Sequence, residues 1–226
     1  MAQVTRLQAP SAPNLPIATT VYSQEHFDVL NNVLRLYFNR IDQTLTALVG
    51  NSGGAFLNTP YISAYDSTSQ YATANNTPTA ITWSTGSVNG FTLAGTTATA
   101  QQSGVYKVTF SLQFANTDNT IHDAVVWLRV NGSTSTNDVI ESATKFSIPA
   151  RKSAGVPSYV CGYSEVVFEL NAGDTVALWW ATPTAATSGG TLGVYIIAEP
   201  AQTSPYPHPS IPSAIGSITF VSAPQA

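Results

Sequence analysis

Gly104-Val105-Tyr106-Lys107-Val108-Thr109-Phe110-Ser111-Leu112-Gln113-Phe114 alternates almost without exception. Tyr106, Val108, Phe110, Leu112 and Phe114 fall on one side, with Val105, Lys107, Thr109, Ser111 and Gln113 on the other. In a strand, successive side chains point to opposite faces. The run therefore predicts a half-buried strand whose large side chains turn to a core. Outward from it the same period recurs. Ala124, Val126, Leu128 and Val130 alternate with Val125, Trp127 and Arg129, and Asn131-Gly132 makes a turn. Val166, Phe168 and Leu170 precede the turn Asn171-Ala172-Gly173-Asp174, and Val176, Leu178 and Trp180 follow it. Leu192, Val194 and Ile196 form another strand, and Ile218 with Phe220 a last one. Weaker candidates are Tyr61–Tyr65, Ala80–Trp83, Gly90–Leu93, Thr96–Ala100 and Thr144–Ile148. About ten short strands with no helices between them predict a mainly β fold, an antiparallel jelly-roll sandwich.

Ahead of the sandwich lie two other zones. Residues 1–21 carry three prolines and no periodicity and are expected to form an extended arm laid on a partner or a neighbouring copy, in which Leu7, Pro10, Pro13, Leu15, Pro16 and Ile17 are the candidate contacts. Residues 22–54 form a helical stalk, and 55–226 the jelly-roll knob. In the stalk, Ser23 is a candidate N-cap, and Tyr22 and Phe27 sit at the positions of a hydrophobic staple. Glu25 and Asp28 lie where the helix dipole favours anions, and Gly50, Gly53 and Gly54 are expected to terminate the helix. Phe27, Leu34, Ile41 and Leu48 recur every seven residues, and Leu30, Tyr37, Phe38 and Leu45 fill the stripe between them. Thr44 weakens this heptad pattern, and Val29, Val33 and Leu36 widen its apolar face. A wide face suits a bundle of more than two helices or a helix docked on a larger surface.

Some strands are apolar on both faces. Trp127 lies opposite the Val126 face, Trp179 opposite Trp180, and Tyr195 and Ile197 opposite Val194 and Ile196. One face fills the core, and the expected cover for the other is a second copy of the chain. Trp127, Trp179 and Tyr195 thus join the helix seam as candidate subunit contacts.

Composition narrows function. Only 9% of residues are charged, against about 25% in ordinary domains, and the formal net charge is -4 with no basic cluster. Nucleic acid is therefore not an expected partner. No apolar run approaches the ~18 residues of a membrane span, so no membrane is expected either. Met1–Pro16 lacks the apolar core of a signal peptide, which points to synthesis in a cytoplasm.

Chemistry is sparse. His26, His122 and His208 form no metal-ligand spacing, and Gly-x-Ser-x-Gly is absent. Cys161, between Val160 and Gly162, is expected to be a buried, inert thiol. Glu165 and Glu169 on one strand would stand ~13 Å apart, beyond a glycosidase pair. They are expected to face solvent or to pair with Lys107 or Arg129. Asp118 and Asp123, with Asn116 and Asn119, make an acidic loop without calcium-loop spacing. No catalytic, cofactor-binding or metal-binding residue is assigned, and the chain is not expected to be an enzyme. Aromatic and amide side chains on loops, with 131–145 and 181–191 the richest segments, leave a sugar or protein epitope as the remaining kind of ligand.

Two stretches resemble a known superfamily. Ser103 through Phe110 resembles the G-x-Y-x-F/V strand of the complement-globular/tumour-necrosis-factor-like jelly roll, and Leu170 through Leu178 resembles its L-x-x-G-D-x-V-x-L hairpin. Val126-Trp127-Leu128-Arg129-Val130-Asn131-Gly132 is similar to a W-x-R-x-N-G strand and turn of bacteriophage versions, and Pro209 through Val221 to their closing strand. Leu15-Pro16-Ile17, Tyr22 through Phe27 and Leu34 through Asp42 resemble a leader of small virion proteins of tailed phages, with Ala18 where a proline is often found. The resemblance implies a homotrimeric virion protein, a head-decorating fibre or knob. Its arm would hold other virion proteins and its knob would aid host adsorption. A tail-associated receptor-binding tip and a capsid cement protein remain alternatives within that class. A lectin or glycan-active enzyme is the alternative outside it.

Overall fold

The computed structural model describes residues 11–17, 20–49 and 59–223. The chain divides into two compact units, Met1–Asn58 and Thr59–Ala226. In the first, helix α1 spans Gln24–Val49, 26 residues. The Ser23 hydroxyl accepts a hydrogen bond from the His26 N–H at 3.3 Å, satisfying one of the donors that a helix start leaves open. The Tyr22 ring stacks on Phe27 with centroids 5.5 Å apart, so the cap and the staple expected from the sequence are both present. The expected terminators Gly50, Gly53 and Gly54 lie outside the described residues.

The second unit is built from two antiparallel sheets. The first contains β1 (Tyr61–Asp66), β3 (Ser84–Asn89), β6 (Gly104–Asn116), β9 (Ser158–Leu170), β11 (Val194–Ile196) and β12 (Ala214–Ser222). The second contains β2 (Thr79–Ala80), β4 (Phe91–Ala94), β5 (Thr97–Ala100), β7 (His122–Val130), β8 (Asp138–Ile148) and β10 (Thr175–Ala181). β6 organises the first sheet. β9 pairs with all thirteen of its residues on one edge, while β12 and then β11 share the other. β10 organises the second, with β7 on one edge and β5 and β2 on the other. The chain passes back and forth between the sheets, which makes the sandwich a jelly roll.

Between the sheets lie the inward residues of β6, with Tyr106, Leu112 and Phe114 fully buried, against Trp180, Leu128 and Val126 of the facing sheet. Phe114 is 5.7 Å from Phe146 and 6.0 Å from Trp180, ring centre to ring centre. Tyr106 meets Phe91 and Phe220 edge-on and donates its hydroxyl to the Gln102 carbonyl at 2.8 Å. Each such side chain contributes about 1.5–3 kcal/mol by leaving water.

Two turns noted in the sequence meet in space. Asn131, at φ 60°, accepts the Thr175 N–H at 2.9 Å and donates to Asp174 at 2.8 Å. Asp174 also accepts the Asn171 N–H, and these bonds, led by that from Asn131, hold its carboxyl below the usual carboxylate range. Gly173, at φ 93°, provides the left-handed corner of that hairpin.

The structure departs from expectation in several places. β8 begins at Asp138, so the second half of the expected loop 131–145 is strand, and β11 begins at Val194 rather than at Leu192. β3 was not expected, because Ser84–Asn89 is polar; its pairing with β1 holds it in the sheet, and at Gly86 a Cβ would strike the Ser63 carbonyl. The expected strand Ala80–Trp83 shrinks to β2, after which Ile81 turns fully inward and donates its N–H to the Leu178 carbonyl. β9 begins eight residues before Val166, where the inward positions are Ser158, Val160, Gly162 and Ser164. At Gly162 the rings of Phe114 and Phe146 already occupy the space: a Cβ there would lie 2.8 Å from the Phe114 ring. Cys161 therefore points the other way. It is exposed, not buried, on the outer face of the first sheet, 3.1 Å from the Ser111 hydroxyl.

Phe114→Ala is expected to cost about 3–5 kcal/mol of stability, whereas Tyr206→Ala, at a side chain 63% exposed, should stay within about 0.5 kcal/mol; denaturant titration of both variants measures this. Asp118, before β7, and Asp123, within it, have His122 at 2.8 Å and Lys145 at 2.6 Å respectively, and the hydrogen bonds from those partners lower both carboxyls. A lowered carboxyl stabilises the fold fully above the unfolded-chain value and loses that contribution as pH falls through the folded one. The melting temperature should therefore fall as pH drops below about 4, and Lys145→Met should shrink that fall when melting is followed against pH.

Candidate functional site

The outer faces of the two sheets differ in what covers them. On the first sheet the register lines up rows of outward side chains. Tyr163, Ser111, Ile215 and Tyr65 form one row, Glu165, Thr109, Ser217 and Ser63 the next, and Val167, Lys107, Thr219 and Tyr61 a third. Tyr61, Tyr65, Tyr163, Val167 and Ile215 are all exposed. Small hydroxyls fill the middle, with Thr109 and Ser217 bonded at 2.6 Å and Tyr61 and Ser87 at 2.9 Å. The charges within these rows are Lys107 and Glu165, 3.8 Å apart, which is one of the two pairings expected for Glu165. Tyr163 donates its hydroxyl to Glu165 at 3.2 Å, and that bond raises the phenol above its ordinary value.

At one end of this face the Tyr71 and Tyr195 rings stack at 5.1 Å, nearly parallel. Burial, then the neighbouring Tyr71, Tyr159 and Glu199, push the Tyr195 phenol up to about 12. Burial also raises Tyr159, whose exposed ring has the Lys152 ammonium 5.8 Å from its centre. These phenols stay neutral across the physiological range. The face thus presents aromatic and hydroxyl surface with little formal charge to desolvate.

On the second sheet, Trp127 and Trp179 point outward, as their alternation predicts, and stand directly opposite each other on β7 and β10. Their own chain covers them. The Arg129 guanidinium lies 4.2 Å from the centre of the Trp179 ring and 5.5 Å from that of Trp127. A planar cation over an indole is attracted by the ring quadrupole. Arg129 donates through Nε to Asp138 and through Nη1 to the Ser133 carbonyl, and the Trp127 indole donates to the same Asp138 at 2.6 Å. A bulge makes room for this cluster. Pairing between β7 and β8 slips at Trp127, and the Leu128 N–H turns to the Ser142 hydroxyl at 2.8 Å. The apolar surface that pointed to a sister subunit at Trp127 and Trp179 is therefore dressed by Arg129, a partner that alternation alone did not reveal. Tyr195 lies on the other sheet, half-buried, with the Tyr71 ring stacked on it.

In the helix, Leu30, Leu34, Tyr37 and Ile41 are half-buried, while Phe27, Phe38, Leu45 and Leu48 are exposed. No described residue of this unit is buried. Of the arm residues, Leu15 and Ile17 are exposed and Pro13 and Pro16 half-buried; Leu7, Pro10 and Ala18 lie outside the described residues. The tyrosine rows were missed in the sequence, although Tyr61 and Tyr65 flank inward Ile62 and Ala64, and Tyr159 and Tyr163 flank inward Val160 and Gly162, at the period that marks an outer face.

No family model matches the chain, and no curated protein does. Among solved structures it is similar to murine APRIL, crystallised at pH 5.0, with 15% identity over 72% of this chain and 99% of that one and a TM-score of 0.42. A likeness of that degree carries nothing about what this chain binds or does.

Arg129→Ala would leave Asp138 without its cation and uncover two indoles, and is expected to cost about 3 kcal/mol or more. Arg129→Lys should recover less than half, because an ammonium cannot stack and fork at once. Equilibrium unfolding followed by tryptophan fluorescence measures both.

Proposed function

We propose that this chain is a structural protein of a bacteriophage virion: a homotrimeric head-decorating fibre or knob, held to the particle by its N-terminal arm and aiding host adsorption. The observation that carries self-association is the pairing, in one chain, of two unclad surfaces. One is the heptad seam of α1, from Phe27 to Leu48, and the other is the tyrosine-rich outer face of the first sheet. A ring of three closes when a patch on one subunit meets a different patch on the next, and a weakly charged face loses little on being covered. The subunit contacts are assigned to Phe27, Leu30, Leu34, Tyr37, Phe38, Ile41, Leu45 and Leu48 of the seam and to Tyr195 with Tyr61, Tyr65 and Tyr163 of the sheet; Trp127 and Trp179 are left out because Arg129 covers them. The virion setting rests on the resemblance of the leader and of the W-x-R-x-N-G turn to those of small phage proteins. Head rather than tail rests on the shortness of the stalk, a single helix of 26 residues between arm and knob.

Immunogold labelling of virions assembled with this chain tests the setting: label on heads is the expected result, and label confined to tails, or none, contradicts it. Removing residues 1–21 should release the protein from particles while its knob melts as before. Retention on the particle would count against an anchoring arm. Cys161 supplies a probe of the sheet face. Its thiol should react with a maleimide at least tenfold more slowly in the intact protein than in a Leu34→Asp/Ile41→Asp/Tyr163→Arg variant.

A further inference from the structure

We propose that the gap between the two sheets beneath the Trp83 indole is a binding pocket for a small apolar molecule, one smaller than benzene. The sequence leaves the gap there. In the first sheet, Ala64 of β1 and Gly216 of β12 stand side by side, and in the second Ala98 of β5 turns inward as well. Three of the smallest residues thus converge, where the neighbouring rows carry Ile62 on one sheet and Leu178 on the other. Between them remains a cavity of about 50 Å³. Close-packed interiors hold few voids larger than a water molecule, so a gap of this size stands out from the rest of the core.

Trp83 lies over it. The residue is half-buried and packs against the core. Its backbone N–H donates to the Gly95 carbonyl at 3.0 Å. Its six-membered ring rests on Gly216, where a Cβ would come within 2.9 Å of it. The main chain at Trp83 is therefore tied, and access to the cavity requires only rotation of the indole.

The lining specifies the kind of guest. Among the described residues that line the cavity none is charged. Thr109 and Ser217 turn their hydroxyls to the outer face, where they bond each other at 2.6 Å, and the Thr96 hydroxyl pairs with that of Thr97. A buried water needs about two to four polar partners, and an apolar cavity without them stays dry. Its lining atoms then lack contacts on one side. An apolar guest supplies those contacts and leaves water in doing so. Volume sets the size limit: the cavity is about a third of the ~150 Å³ of one that takes benzene. A xenon-sized atom or a short alkyl group is the guest that fits. The pocket lies between the sheets of one knob, so it does not depend on the trimer.

Xenon is the probe, dissolved at increasing gas pressure in full-length protein with ¹³C-labelled methyl groups, each resonance assigned by its loss in a conservative variant. The expected result is a saturable shift of the Ile62 and Leu178 methyls, with the methyls of Ile148 and Val194, buried elsewhere in the core, unmoved. In Ala64→Val, whose larger side chain fills the gap, the shift should be lost. The pattern in the unaltered protein decides the matter even where the variant fails to fold. No saturable shift at Ile62 and Leu178, equal shifts at Ile148 and Val194, or an undiminished shift in a folded Ala64→Val would each overturn the proposal. Sedimentation of the same samples separates this outcome from that of the trimer: a monomer that still takes up xenon refutes only the latter.

Discussion

The alternation along β6 is the constraint from which the rest follows. Its inward row, Tyr106 through Phe114, can leave water only against a second sheet, and that requirement holds β7 and β10 across from it. β9 then pairs along its whole length, so every outward residue of β6 lies in a row with an outward residue of β9. Because the outward residues are Lys, Thr, Ser and Gln flanked by tyrosines, burying the core also fixes a broad outer face with few charges. The core and the face are two sides of one periodicity.

The two sheets handle their outer aromatics differently. On the second sheet a single arginine stacks on two indoles, and its carboxylate partner accepts from one of them. Both indoles are thus covered from within the chain. On the first sheet Tyr61, Tyr65 and Tyr163 are exposed, while Tyr195 is half-buried with Tyr71 stacked on it.

Much of this was legible in the sequence, and the remainder was not for identifiable reasons. Strands with large inward residues, such as β6, β7 and β10, announce themselves by period. β3 does not, since its residues are polar and its place depends on a partner. The first half of β9 does not either, because rings from Phe114 and Phe146 fill the space that its own inward side chains would otherwise occupy. The same substitution of one residue's bulk for another's reversed the expectation for Cys161. The helix cap at Ser23 and the staple at Tyr22 and Phe27 were local, and local features were read correctly. The role of Arg129 depended on a bulge and on a loop returning through Ser133, which no spacing rule captures.

The central claim is that the helix seam and the tyrosine face are covered by sister subunits. Sedimentation equilibrium of the full chain tests it most directly. A mass three times 23.8 kDa, held across a hundredfold dilution, is the predicted result. A single species at 23.8 kDa over the same range would contradict it.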